Sequence, residues 1–204
     1  AVAADPARPE AGLAIGLTAF RLGAVARADS AFRAAVPRLP RLARERFEDI
    51  APVATERDTA ELRRLDVAAR PEFVRRFWKD IDPDLATPVN EAQLEYWARV
   101  AQAYFLFFDA RRRAWDERGE VYVRYGPPRR ALYNPVDQPL GVMVGGVGPV
   151  FPANVQAWDY PELGMRVIMQ DRLLSEYYIL PFATDHDPDP IPSRDSLARR
   201  DDLL

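Results

Sequence analysis

The chain has 204 residues, 48% of them hydrophobic, and a formal net charge of −3. That length allows one large domain, or a small helical module joined to a core domain, with enough apolar surface for a proper core. The charge lacks the basic footprint of a general nucleic-acid binder, no apolar run reaches the roughly eighteen residues of a transmembrane helix, and the absence of cysteine excludes disulfides, thiolate metal sites and a cysteine nucleophile.

The first residues, Ala1-Val2-Ala3-Ala4-Asp5, are small and run into an acidic, proline-rich stretch. This pattern is expected of a mature end left by signal-peptide cleavage, so the chain reads as exported. Leu13, Ala14, Leu17 and Phe20 then recur at helical spacing, and Gly23 can end that helix. A second helix starts near Ala26, with Ala28, Ala31, Phe32, Ala35 and Val36 on its apolar face and Pro37 or Pro40 as its stop. Small residues at Gly16 and Ala28 allow the two helices to approach closely. Ile15-Gly16, Phe20, Gly23, Ala28, Phe32, Ala35 and Pro40 resemble the small, aromatic and proline positions of a tetratricopeptide repeat over residues 9–42. One copy is visible, where such arrays need about three to bury a continuous core. The resemblance implies a surface that grips another protein; an ordinary helical hairpin fits the same residues.

Leu62, Leu65 and Ala69 make a further stripe, and Pro71 suits the first turn of the next helix. Phe73, Val74, Phe77 and Trp78 are dense enough to be core. Asp80, Asp82 and Asp84 alternate as calcium ligands do, but the glycine and distal glutamate of a calcium hand are absent, so a solvated turn and helix cap is expected. Thr87-Pro88 reads as N-cap and first residue of a long helix running to 114. Leu94, Trp97, Ala101 and Phe108 on one stripe, with Tyr96, Val100, Ala103 and Phe107 on another, give it the wide apolar surface of a central helix. Arg111-Arg112-Arg113 at its C-terminal end complements the helix dipole.

Trp115 closes that helix, Arg118-Gly119 turns the chain, and Val121-Tyr122-Val123-Arg124-Tyr125 alternates as a strand does, stopped by Gly126-Pro127-Pro128. Together with Phe77-Trp78-Lys79, Asp82-Pro83, Thr87-Pro88-Val89-Asn90-Glu91, Glu95-Tyr96, Arg99-Val100 and Ala114-Trp115, this stretch resembles the GWxTD domain, a bacterial family of poorly defined function, over roughly residues 70–180. Ala114 stands where that family has its namesake glycine, no threonine follows Trp115, and the spacing to Arg118-Gly119 is one residue shorter. The motif's acidic residue is Asp116 or Glu117. Val155-Gln156-Ala157-Trp158-Asp159-Tyr160 matches the family's later aromatic strand. The resemblance implies an exported protein often joined to helical repeats, and it brings no established catalytic residues.

Residues 129–154 read as a long excursion loop with a short strand at Val142-Met143-Val144. Gly141 and Gly145-Gly146-Val147-Gly148 have the glycine density of a phosphate cradle, but no Lys-Ser/Thr follows and Pro149 replaces the helix such a loop opens. Val155–Tyr160 and Met165–Gln170 read as a hairpin through Pro161-Glu162-Leu163-Gly164, forming with 120–125 a small antiparallel sheet packed on the 90–114 helix. Residues 172–180 fit helix or strand. From Thr184 the chain is polar and proline-rich; its one histidine, His186, lies among aspartates in a weak metal constellation, and Ser193–Leu204 suits a short terminal helix.

The expected architecture is α+β: TPR-like helical hairpins over 1–55, a helical domain with a small antiparallel sheet and long loops over 56–183, and a proline- and aspartate-rich tail over 184–204. No catalytic set, cofactor or metal site is legible. The expected function is a non-catalytic scaffold or accessory subunit, periplasmic, bound to other protein subunits of a membrane complex and to no nucleic acid. Its candidate interaction residues are Trp78, Trp115, Asp116, Glu117, Arg118, Gly119, Tyr122, Tyr125, Gly126, Pro127, Pro128 and Trp158. The alternative is an envelope enzyme or carbohydrate-binding module, because aromatics beside carboxylates at Trp115, Asp116, Glu117, Tyr122, Tyr125 and Trp158 suit sugar recognition.

Overall fold

The computed structural model describes residues 8–109, 114–134, 141–142, 151–152, 154–171 and 173–180. The fold is α+β, with helices concentrated towards the N-terminus and small antiparallel sheets after them. The chain divides into two compact units, Ala1–Leu106 and Phe107–Leu204.

The first unit opens with α1 (Pro9–Arg21) and α2 (Val25–Ala35). Gly23, at φ +71°, takes the left-handed turn between them. Their close approach has a local cause: a Cβ on Gly16 would stand 2.9 Å from the ring of Phe32, which is itself wholly buried. A 3₁₀ turn at Val36–Arg38 leads to α3 (Arg41–Glu48). Thr55 then caps α4 (Glu56–Arg64) in a capping box with Asp58. Pro71 sits in the first turn of α5 (Arg70–Asp80), as its missing N–H predicts.

Helix α6 (Glu91–Phe107) begins later than expected. Asn90, not Thr87, is the cap: its side-chain oxygen accepts the Gln93 amide at 2.8 Å, while the Thr87 hydroxyl donates to Glu91. The helix also ends early, at Phe107 rather than 114, because Phe108-Asp109 (β1) pairs antiparallel with Ala114-Trp115 (β2). The arginine triplet 111–113 lies outside the described residues. Within the first unit α6 supplies Leu94, Tyr96, Val100 and Ala101 to the core. The Tyr96 hydroxyl donates to the Asp49 and Arg46 carbonyls, and the Trp97 indole donates to that of Phe47. Trp97 also meets Phe32 edge-on, with centroids 6.2 Å apart.

The main correction falls on residues 121–125. They are not a strand; they belong to α7 (Glu117–Tyr125), capped by the Asp116 side chain. Glu117 and Glu120 lie in its positive first turn and Arg124 in its last, so capping and dipole terms all favour helix. β-propensity is a statement about packing on a sheet, and here that packing is given to other residues. The strand that joins the hairpin is instead β3 (Arg130–Tyr133), inside the stretch expected to be loop. Gly141-Val142 (β4) pairs with Phe151-Pro152 (β5), so the expected short strand keeps only its first residue among those described.

β6 (Asn154–Tyr160) and β7 (Met165–Asp171) form the expected hairpin, turning through a 3₁₀ segment at Pro161–Leu163 and Gly164 at φ +60°. The sheet order is β3-β6-β7, all antiparallel. Alternation along β6 splits its side chains between two faces. Trp158 and Tyr160, with Val167 and Met169, pack with Val121, Tyr122 and Tyr125 of α7. Val155, Ala157 and Ile168 pack with Leu132 on the other side. Residues 172–180, which fit either structure by sequence, add one bridge, Ile179 to Gln170. The glycine run at 145–148, His186 and the tail beyond 180 lie outside the described residues.

Candidate functional site

The motif residues 115–128 run the length of α7, from Trp115 and the Asp116 cap at its N-terminus to Gly126-Pro127-Pro128 beyond its last turn. Asp116 is 3% exposed and ends in a dense set of donors. Its carboxylate accepts the Arg118 amide at 3.0 Å, the Arg118 guanidinium at 2.7–3.1 Å, and the Tyr178 amide at 3.1 Å. Arg118 in turn donates to the Glu176 carbonyl at 2.9 Å and lies over the rings of Tyr178, at 4.2 Å, and Phe107, at 5.1 Å. A guanidinium stacked and forked in this way is held by geometry that lysine does not offer.

Glu117 reaches the same neighbouring segment. Its carboxylate accepts the Leu180 amide at 2.7 Å, and its own amide donates to the Tyr178 carbonyl at 3.2 Å. Asp116 and Glu117 therefore hold residues 176–180 much as a strand edge would, with side chains replacing part of the ladder. Buried Asp171 secures the other end, accepting the amides of Leu173 at 3.2 Å and Glu176 at 2.6 Å.

Trp115 lies across Gly119. A Cβ there would stand 2.5 Å from the indole ring, so no larger residue fits without moving the tryptophan. The Trp115 indole N–H donates to Glu120 at 2.8 Å. At the far end of α7, the Gly126 amide bonds the Tyr122 carbonyl, and the Gly126 carbonyl accepts the Tyr160 hydroxyl at 3.1 Å. Tyr125 packs on Tyr160, while Tyr122, Phe107 and Trp158 form one aromatic group with centroids 5.8–6.4 Å apart. Pro127 is exposed and Pro128 half-buried as the chain turns towards β3. Trp78 does not join this group; it is core of the first unit, against Phe77 and Tyr96.

Sequence reasoning missed Tyr178, which completes the cluster. Its side chain is fully buried and stacks under Arg118. Its hydroxyl faces Gln156 and Tyr133 without a hydrogen bond of good geometry, and burial pushes the phenol up from 10.0 to about 12. In the unfolded chain the phenol ionises near its ordinary value, so above that pH the unfolded state binds fewer protons than the folded one and stability falls. Urea unfolding between pH 10.0 and about 12 is therefore expected to show a steeper loss of stability in the native chain than in Tyr178→Phe. Equal slopes would contradict this assignment.

The chemistry open to the cluster is limited by this wiring. Both motif carboxylates accept backbone amides, and Asp116 also carries a buried ion pair. The aspartates at 82 and 84 are likewise turn formers, accepting the amides of Asp84 and Ala86. Among the described residues, no group of three or more His, Cys, Asp or Glu side chains is placed to hold a metal ion. Comparison with family models, with curated proteins and with solved structures finds no match to the chain.

Proposed function

We propose that the chain is a non-catalytic, exported accessory subunit that docks as a scaffold on the periplasmic face of a membrane-associated protein complex. The observation that carries this reading is the apolar outer surface of the α1–α2 hairpin. Ile15, Leu22 and Val25 are 47%, 78% and 38% exposed and lie close together in sequence around the turn. Ile15 and Leu22 line a shallow depression with Ala14, Ala24 and Arg27. A contiguous apolar surface with a charged rim is what a protein interface requires. The resemblances to the GWxTD domain and to a tetratricopeptide hairpin support the same assignment. Among the described residues no helix is long and apolar enough to cross a membrane, so attachment through partner subunits fits.

The rival, an envelope enzyme or sugar-binding module around Trp115, Glu117 and Tyr125, needs carboxylates free to meet a ligand. Those of Asp116 and Glu117 are occupied by Arg118, Tyr178 and Leu180.

Native extraction from membranes under mild detergent, followed by mass spectrometry, tests the proposal. The expected result is stoichiometric recovery with integral-membrane subunits. Ile15→Glu with Leu22→Glu is expected to reduce that recovery at least about tenfold, as loss of interface anchors does, with unchanged circular dichroism. Recovery of the chain alone, as a monomer, would overturn the reading.

A further inference from the structure

The first unit holds a second feature that neither the motif nor the hairpin surface uses. A half-open groove of about 730 Å³ lies among the helices, walled by Phe47, Leu62, Val74, Trp78 and Trp97. Its volume falls within the roughly 300–1,000 Å³ of small-ligand sites, and like them its walls are mostly apolar and aromatic, with Arg33, Glu48, Arg70 and Gln93 as the polar groups.

The charges around it sort into paired and unpaired. Arg33 is forked onto Asp29 at 2.8–2.9 Å and covers Trp97. Glu48 faces Arg44 at 3.5 Å. Arg70 lines the groove, is exposed, and bonds only the Leu65 carbonyl, at 3.3 Å; among the described residues it forms no ion pair. Among the described residues, the groove thus presents one uncompensated cation, Arg70, beside an apolar trench.

The walls also restrict the kind of ligand. Leu62, Val74, Trp78 and Trp97 come from helices, whose backbone groups are satisfied internally. An extended peptide laid here would find no sheet edge for its own amides and carbonyls, and burying those unpaired is costly. A hydrocarbon chain has no such groups, and a single carboxylate matches the Arg70 guanidinium.

We propose that this groove binds a free long-chain monocarboxylate, with its aliphatic chain against Trp78 and Trp97 and its carboxylate on Arg70. The proposal does not rest on the docking function proposed above.

Isothermal titration calorimetry of the full chain with dodecanoate, below its micelle-forming concentration, is the test, with dodecanol as the uncharged control. Saturable binding of dodecanoate is expected, with dodecanol at least about tenfold weaker, the value of one charge-assisted hydrogen bond. Arg70→Gln is expected to weaken dodecanoate by a similar factor and leave dodecanol unchanged. Leu62→Trp, which fills the trench, is expected to abolish binding of both. Equal affinity for acid and alcohol, insensitivity to Arg70→Gln, binding that survives Leu62→Trp, or binding only to anionic phospholipid vesicles would each overturn the proposal.

Discussion

Asp116→Ala is expected to destabilise the second unit by about 3–5 kcal/mol, the cost of leaving one member of a buried ion pair uncompensated. The side chains of Asp116 and Arg118 are 2% and 12% exposed, so water does little to replace the lost partner. The same substitution removes the cap of α7 and the acceptor of the Tyr178 amide. Urea unfolding followed by near-ultraviolet circular dichroism reads the loss. The pair is also expected to be strongly non-additive. Removing both charges, as Asp116→Ala with Arg118→Met, leaves no orphaned guanidinium and should cost less than the sum of the single changes. Additive costs would mean that the two side chains act separately, against the geometry described.

The second large effect is expected at Phe32. Its side chain is wholly buried between α1 and the indole of Trp97, and Phe32→Ala is expected to cost about 3–5 kcal/mol of stability. Gly16 makes the test sharper. In the native chain Gly16→Ala forces a Cβ to within 2.9 Å of the Phe32 ring, and overpacking of this kind costs about 1–3 kcal/mol. In the Phe32→Ala background that clash is gone, and Gly16→Ala should become neutral or stabilising, since alanine favours helix over glycine. Thermal unfolding of the native chain and the three variants forms the cycle. An unchanged cost of Gly16→Ala in both backgrounds would contradict the packing of α1 on α2.

What the sequence disclosed and what it concealed follow from how local the deciding interactions are. The α1–α2 hairpin was legible because Gly16, Gly23, Ala28 and Phe32 carry its spacing, its turn and its contact within some twenty residues. The β6–β7 hairpin was legible for the same reason, through Pro161 to Gly164. Residues 121–125 misled because Val-Tyr-Val-Arg-Tyr alternates and is rich in β-formers, while the partner that helps hold the α7 N-terminus, Tyr178, lies 62 residues beyond Asp116. β3 was hidden because Arg130, Ala131 and Tyr133 are exposed and only Leu132 is half-buried, so no clean alternation marks it.

The site was half legible. Trp115, Asp116, Glu117, Arg118 and Gly119 stood out by pattern, and all five meet at the start of α7. Their roles were not readable, because an aspartate that caps a helix and one that meets a ligand look alike until its donors are known. Here the donors are Arg118 and Tyr178.

Amide hydrogen exchange at Tyr178 and Leu180 distinguishes a structural motif from a ligand-facing one. These two N–H groups donate to the Asp116 and Glu117 carboxylates, not to a strand. If the motif is a structural latch, both amides are protected in the native chain to the level of the α7 amides, and Asp116→Ala exposes Tyr178 first. Rapid exchange at both positions in the native chain would mean that the carboxylates stand free, and would return Asp116 and Glu117 to the rival reading as ligand-facing groups.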